Sequence, residues 1–381
     1  MPPYRRTFVI FCILAPLFYI YWWKFIAPDT LSGLLSSTAS ENVFNKTLGF
    51  PRIFVINLPP RTDRRDAMVL AGAVSNISFS WIDGVASDQV SDRIIPEDDR
   101  GHSAGARGSW RSHMNALQAV VDRNLGSALI LEDDIDWDIR LKSQLQTFAA
   151  ASRTWLRESK SSRAEVELLD VIKYADRDVK DVYGNGWDVL WLGHCGADLP
   201  SAQKTATSPL IVTIPADETV PAPKHLKPHP FALQDKLGDN YPPHTRVVHA
   251  SGGNVCTLAY AVSREGARKL LLELNGHYDT QWDLMLQKWC EGGYITKEGG
   301  ASEEHQDAPP ICLTVQPPLF SHYYPKGGAS NIQGQGGGYA KGTGSPYIRL
   351  SVRENLRRLV TGEPLSEMVD QLPDDGDPIW K

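Results

Sequence analysis

The apolar run Ala128-Leu129-Ile130-Leu131 passes directly into Glu132-Asp133-Asp134-Ile135-Asp136-Trp137-Asp138, which holds five carboxylates within seven positions. A short continuous apolar run predicts a strand buried on both faces, and in open α/β sheets ligands sit beyond the carboxyl ends of such strands. The acids therefore stand where a ligand would bind. Carboxylates at alternate positions, Asp134 and Asp136 or Asp136 and Asp138, project to one side of an extended chain. They offer hard oxygen ligands to Mg2+ or Mn2+, with phosphate oxygens and water completing the shell. The competing reading of the same residues is a solvated acidic loop.

Strand-like runs also occupy residues 53–58, 79–82, 189–192 and 257–260, and helical patterns lie between several of them. One helix is predicted from Arg107 to Arg123, with Trp110, Met114, Leu117 and Val121 as its apolar stripe. A second follows Ser263 and buries Ala267, Leu270, Leu271 and Leu274; a third follows Asp279, with Trp282, Met285, Leu286 and Trp289 on one side. Alternation of strand and helix predicts an α/β fold: a Rossmann-like, mainly parallel sheet with flanking helices in a single catalytic domain. The charged stretch 152–181 and the Pro-rich stretch within 196–246 read as insertions on that scaffold.

At the N-terminus, Arg5 and Arg6 precede an apolar stretch that closes on Tyr19, Tyr21, Trp22, Trp23 and Lys24. Residues 7–27 have the length of a bilayer span with an aromatic interfacial belt, and the preceding positive charge predicts an N-in, single-pass orientation. A cleaved signal peptide is the alternative. The expected organisation is a cytoplasmic tail at 1–6, an anchor at 7–27, a stem at 28–50, a catalytic domain at 51–325, and a Gly-rich loop with a C-terminal segment at 326–381. A luminal location agrees with the sequons Asn45-Lys46-Thr47 and Asn76-Ile77-Ser78. Four cysteines lie outside the span: Cys195, Cys256, Cys290 and Cys312. In an oxidising lumen at least one disulfide is expected, with three pairings open; buried free thiols are the alternative. A net charge of -6 and a pI near 5.9 give no footprint for nucleic acid.

An anionic ligand needs cations. The first strand ends at Asn57 and leads into a turn bearing Arg61, Arg64 and Arg65, while Arg107 and Arg111 sit early in a helix, where cations oppose the macrodipole. Guanidinium groups suit phosphate oxygens; the alternative is that each pairs with nearby acids or with water. The Gly-rich run 327–344 lacks the phosphate-loop pattern and its strand and helix context, and reads as a flexible loop or lid.

Four stretches taken together carry a resemblance. They are Phe54-Val55-Ile56-Asn57-Leu58 with Arg61, Asp63, Arg64 and Arg65; Gly108-Ser109-Trp110-Arg111-Ser112-His113; Leu129-Ile130-Leu131-Glu132-Asp133-Asp134; and Cys256-Thr257-Leu258-Ala259-Tyr260-Ala261-Val262-Ser263-Arg264-Glu265-Gly266-Ala267. In this order they resemble glycosyltransferase family 25, the group of lipooligosaccharide and procollagen galactosyltransferases, across most of residues 52–325. The chain looks like a fungal-type, membrane-anchored member, with the Asp136-Trp137-Asp138 extension and the stretch 349–356 carrying that likeness. The resemblance implies an A-type glycosyltransferase fold that takes a nucleotide sugar, UDP-galactose by analogy. It also implies a Mn2+- or Mg2+-assisted site, inversion at the sugar carbon, a glycan or glycoprotein acceptor, and a Golgi or endoplasmic reticulum membrane location. On that basis Asn57, Arg61, Arg64, Arg65, Arg107, Arg111, Glu132 and Asp133 are expected to bind the donor. Asp134 and Asp136 would hold the metal, with His322 completing its shell. An inverting reaction needs one base for the acceptor hydroxyl, and Asp283, then Asp279, are the candidates. His113 reads as a structural hydrogen-bond partner. Position 109 is Ser where the family often has Cys, and bacterial members lack both the span and the stretch 196–246. A catalytically silent, membrane-anchored glycan-binding protein on the same fold is the alternative from a different class, and a metal-dependent glycan hydrolase is a third.

Overall fold

The computed structural model describes residues 42–91, 103–171, 181–200, 208–226, 236–275, 278–294, 308–325 and 344–377. The expected anchor, most of the stem and the Gly-rich run 327–343 lie outside these residues. No helix among the described residues is long and apolar enough to cross a membrane.

Among the described residues the core is one 11-stranded mixed sheet. Its strands are β1 (Ile53–Asn57), β2 (Ser80–Asp83), β3 (Ser127–Glu132), β4 (Ile135–Trp137), β5 (Glu165–Glu167), β6 (Val189–Gly193), β7 (Ile211–Ile214), β8 (Arg246–Ala250), β9 (Ala259–Ser263), β10 (Cys312–Gln316) and β11 (Phe320–His322). The order is β2-β1-β3-β9-β6-β10-β8-β7-β5, with β11 joining β6 and β4 joining β11. Pairing directions show that β4, β8 and β9 run against the other eight. Most strands therefore share one direction, as the alternating pattern predicts, while the reversed β9 sits between β3 and β6.

Among the described residues the helices of six residues or more are α1 (Thr62–Val74), α2 (Ala104–Asp122), α3 (Leu141–Glu158), α4 (Arg264–Leu274), α5 (Trp282–Cys290) and α6 (Leu356–Thr361). Because side chains alternate across a strand, β1 and β3 send residues to two different cores. Ile53, Val55, Leu129 and Leu131 pack with Met68 of α1 and with Leu145, Phe148 and Trp155 of α3. Phe54, Ala128 and Ile130 pack with Trp110, Met114 and Leu117 of α2, Leu270 of α4 and Trp282 of α5. The predicted stripes hold, except that Val120 rather than Val121 is fully buried on α2 and Leu271 is only partly buried on α4. Ser263 caps α4 by accepting a bond from the Gly266 amide at 2.9 Å.

Several expectations change. The globule starts before Pro51, since Val43 and Leu48 are completely buried and the Tyr183 hydroxyl donates to the Leu48 carbonyl at 2.6 Å. The two stretches read as insertions are structural: β5 and β7, one from each, pair in parallel and extend the sheet beyond β8. The segment from Thr62, expected as a turn bearing arginines, is helix α1.

Both disulfides form, Cys195 with Cys256 and Cys290 with Cys312. The first ties the end of β6 to the loop entering β9, and the second ties α5 to β10. Their sequence separations of 61 and 22 correspond, by chain entropy, to about 4 and about 3 kcal/mol of stabilisation.

One buried histidine makes stability pH-dependent. The His194 Nε2–H donates to the Val315 carbonyl at 2.9 Å, which leaves Nδ1 unprotonated and without a partner. Burial pushes its pKa down from 6.5 to about 4, with His249 adding to the shift. The unfolded chain takes up this proton first, so stability is full above pH 6.5 and falls as pH drops towards 4. The expected loss is about 3 kcal/mol. Denaturant melts at a series of pH values check this. His194→Gln should be less stable at pH 7.5 yet show a shallower decline over that window, and an unchanged slope would exclude His194 as its source.

Candidate active site

One edge of the sheet gathers the chemistry. Asn57 and Glu132 end β1 and β3, His322 ends β11, and the loop 254–258 enters β9 at this edge because β9 is reversed. The acid row that begins at Glu132 divides here into two groups with different work.

The first group faces the edge. Asp133 Oδ1 accepts from Arg64 at 2.7 Å and its Oδ2 accepts from the Asn57 amide at 2.7 Å. Arg64 also lies 2.8 Å from Asp134 Oδ2, and His322 Nε2 is 3.2 Å from the same oxygen. Burial opposes ionisation of Asp134, but Arg64 and then His322 hold its carboxyl far below the usual range. Asp133 moves the other way, raised by burial and then by the charge of Asp134. Three buried atoms at this point have no hydrogen-bond partner: Asn57 Oδ1, Asp134 Oδ1 and His322 Nδ1. Unsatisfied buried acceptors are costly in a folded chain and mark places where a ligand completes the bonding.

The second group does not reach the edge. Asp136 is fully buried, and its Oδ1 accepts from the backbone amides of Trp137 at 2.8 Å and Arg353 at 3.1 Å. Its Oδ2 accepts from Ser345 at 2.6 Å and also from Ser351. Asp138 accepts from Arg140 at 2.8 Å and from the Leu350 amide at 3.0 Å. These two acids clamp the C-terminal segment along β4. The expectation that Asp134 and Asp136 form a metal pair is therefore corrected: Asp133 and Asp134 form a turn that reverses the chain into β4, so strand alternation does not carry from Asp134 to Asp136, and both Asp136 oxygens are already satisfied. Among the described residues no three His, Cys, Asp or Glu side chains converge as a ready cation cage.

The predicted arginines are mostly engaged elsewhere. Arg61 forks onto Asp63 at 2.9 and 2.7 Å, holding that carboxyl down at about 2. Arg65 stacks over Trp81 at 4.3 Å, and Arg111 donates to Asn115 at 2.8 Å and lies over the Trp110 ring. Arg107 sits in the first turn of α2. Arg64 stands at the acids.

A second cluster adjoins the first through Glu132. Glu132 Oε1 accepts from Thr257 at 2.9 Å and lies 3.8 Å from His113 Nε2. His113 bonds the Tyr260 hydroxyl through Nδ1 at 3.1 Å and stacks on Trp282 with ring centroids 5.0 Å apart, a structural partner as expected. Asp283, in the first turn of α5, accepts from the Cys256 amide at 2.8 Å. Cys256 has φ +64°, a left-handed conformation that its disulfide to Cys195 helps hold. Burial raises the Asp283 pKa and the Glu132 charge adds to it, against the lowering by the Cys256 amide. Asp279 is different. Lys288 at 2.7 Å and the Tyr294 hydroxyl at 3.0 Å engage it and, against burial, lower its pKa. It does not cap α5, whose N-cap position is Gln281. An acid held ionised by a lysine accepts a proton poorly, so the geometry favours Asp283 of the two.

Sequence reasoning missed Thr257 and Arg353. Arg353 donates through Nε to the Ile135 carbonyl at 3.2 Å and through Nη2 to the Asp133 carbonyl at 3.3 Å. Its only sequence signal is membership of the stretch 349–356.

A family model described as "Glycosyltransferase family 25 (LPS biosynthesis protein)" matches residues 50–286. The chain is 27% identical to Procollagen galactosyltransferase 1 of Danio rerio over 197 residues, 46% of this chain and 31% of that protein. It is 26% identical to Procollagen galactosyltransferase 1-A of Xenopus laevis over 207 residues, 48% of this chain and 32% of that protein. It is 24% identical to the Probable inactive glycosyltransferase 25 family member 3 of Bos taurus over 237 residues, 59% of this chain and 29% of that protein. The chain thus spans about a third of the length of these curated relatives.

Proposed function

Because the chain belongs to glycosyltransferase family 25, we propose that it is a metal-dependent, inverting glycosyltransferase. The donor is a nucleotide-diphospho-sugar, with UDP-galactose favoured by the names of the relatives, and the acceptor is a hydroxyl of a glycan or glycoprotein. The observation that carries this reading is the pair Asp134 and His322 at the sheet edge, with unsatisfied buried atoms on both side chains and on Asn57.

The donor set fits Mn2+ or Mg2+. A carboxylate oxygen and an imidazole suit such an ion, and Mg2+ in particular is commonly held by one or two carboxylates, with substrate phosphates and water supplying the rest. Asp134 and His322 would hold it, with Asp133 keeping Arg64 in place beside them. When bound, the ion neutralises charge on the leaving diphosphate. The chain's own residues do the remainder. Asp283 accepts the proton of the acceptor hydroxyl as that oxygen forms the bond to the sugar carbon. The glycosyl–phosphate bond breaks on the opposite face, and its electron pair leaves with the diphosphate, so one displacement inverts the carbon. Thr257 and His113 fix Glu132, whose negative charge helps keep Asp283 basic.

The test is a donor screen on the full chain with Mn2+, reading UDP or GDP release with and without acceptor glycans. Release that rises with acceptor supports transfer; release of neither nucleotide under any condition rejects it. The second reading, a silent glycan-binding protein, is favoured by the inactive relative and predicts glycan binding with no donor turnover.

The proposed location is the lumen of the Golgi or endoplasmic reticulum, behind an N-terminal anchor. Asn45 is exposed, which suits glycan addition. Its Oδ1 accepts from the Thr47 amide at 2.8 Å. Endoglycosidase treatment of protein made in the secretory pathway should increase gel mobility, and Asn45→Gln should remove part of that shift. Unchanged mobility in both would exclude glycan at Asn45.

A further inference from the structure

We propose that Arg353 is a diphosphate-contacting residue of this site, delivered by the C-terminal segment; the assignment rests on the glycosyltransferase reading above. Its position is built by the inner half of the acid row. Residues 350–353 run beside β4: the Ile139 amide donates to the Leu350 carbonyl at 2.9 Å, and the Val352 amide donates to the Trp137 carbonyl at 3.0 Å. Asp136 and Asp138 fasten this run by accepting the Arg353 and Leu350 amides. The clamp brings one guanidinium to the carbonyls on either side of Asp134.

The way Arg353 is held separates it from the other arginines. Its Nε and Nη2 are spent on two neutral carbonyls, and the guanidinium carbon lies 5.6 Å from the centre of the Tyr323 ring. Among the described residues Nη1 has no hydrogen-bond partner and no carboxylate lies within ion-pair distance of the guanidinium, in contrast to Arg61 on Asp63 and Arg64 on Asp133 and Asp134. Carbonyls orient the guanidinium without cancelling its charge. What remains is a cation fixed in direction, beside Asp134 and His322, with an unused donor edge. That arrangement suits a phosphate oxygen, for which a pre-organised guanidinium is the most selective protein donor. The Tyr323 amide donates to the Asp134 carbonyl at 2.8 Å, so Tyr323, Asp134 and Arg353 form one connected unit. Arg353 lies beyond the family match, which ends at residue 286.

Calorimetric titration of the full chain with UDP, GDP, UMP and GMP in Mn2+ tests this. Arg353→Gln should weaken diphosphate binding about tenfold to a hundredfold, as expected for loss of a charge-assisted hydrogen bond, and should weaken monophosphate binding much less. Arg353→Lys keeps the charge but loses the planar fork; it should recover part of the diphosphate affinity and stands in if the glutamine variant does not fold. Ser351→Ala loosens the clamp at Asp136 that positions the guanidinium, and should weaken diphosphate binding selectively but by less than Arg353→Gln. Equal weakening of both nucleotide classes by Arg353→Gln, or none, overturns the assignment while leaving the glycosyltransferase reading intact. A wild-type chain that binds no nucleoside diphosphate overturns both.

Discussion

Asp283→Asn is expected to lower turnover for sugar transfer by roughly 10²–10⁴-fold, the usual contribution of a positioned general base, while leaving nucleotide affinity unchanged. The two effects separate because Asp283 is placed by the Cys256 amide and lies next to Glu132 in charge, whereas the metal and diphosphate positions belong to Asp134, His322 and Arg64. Asparagine keeps an oxygen to accept the Cys256 amide, so the α5 junction is preserved and the loss is one of basicity. The wild-type pH profile gives a second readout. Burial raises the Asp283 pKa, and only the ionised form accepts a proton, so turnover should fall as pH is lowered through that raised value. The asparagine variant should lack this limb. Turnover and nucleotide titration on the same preparation decide the matter. Near-normal turnover would remove Asp283 as base and move Glu132 up in its place.

The sequence made the front of the site readable and hid its back. A strand ending in acids is a local signal, and β3 with Glu132 at its tip lies at the ligand edge as that signal implies. The three helical stripes were equally local, since a period near 3.6 needs no knowledge of the partner surface. Asp136 carries the opposite lesson. Its partners Ser345 and Ser351 lie 209 and 215 positions away in the chain, so spacing within the acid row could not reveal that one carboxylate is a clamp and its neighbour a ligand candidate. The arginines failed for a related reason. Arg61, Arg64 and Arg65 read as turn residues open to phosphate, but Arg64 and Arg65 fall in the first turn of α1. The structure supplies Asp133 and Asp134 for one and the Trp81 ring for the other, where phosphate had been expected. β5 and β7 were hidden because three or four residues inside charged and Pro-rich stretches are too few to show a period.

Arg64→Met should destabilise the fold at neutral pH by about 3 kcal/mol, because removing one partner of a buried ion cluster leaves its remaining charges uncompensated. Arg64 is the shared counter-charge of Asp133 and Asp134, at 2.7 and 2.8 Å, and burial of all three makes its loss expensive. In the variant the two carboxylates keep the Asn57 amide, His322 and the charge of Arg353 as partners, so the folded-state pKa of Asp134 should rise and that of Asp133, already raised by burial, should rise further. A raised carboxylate pKa contributes stability that is present at low pH and lost as pH rises through the folded value. The deficit relative to wild type should therefore shrink on acidification, the reverse of the His194 effect. A divalent ion offers a second rescue: if Asp134 and His322 form its site, Mn2+ should raise the melting temperature of Arg64→Met more than that of wild type. Adding Asp134→Asn should abolish this difference. Thermal melts across pH, with Mn2+ and with a chelator, read both effects without any donor or acceptor. A variant as stable as wild type at pH 7.5 would mean that the acids are solvated rather than held by Arg64. A deficit that Mn2+ leaves untouched would place the ion elsewhere and take Asp134 out of the metal site.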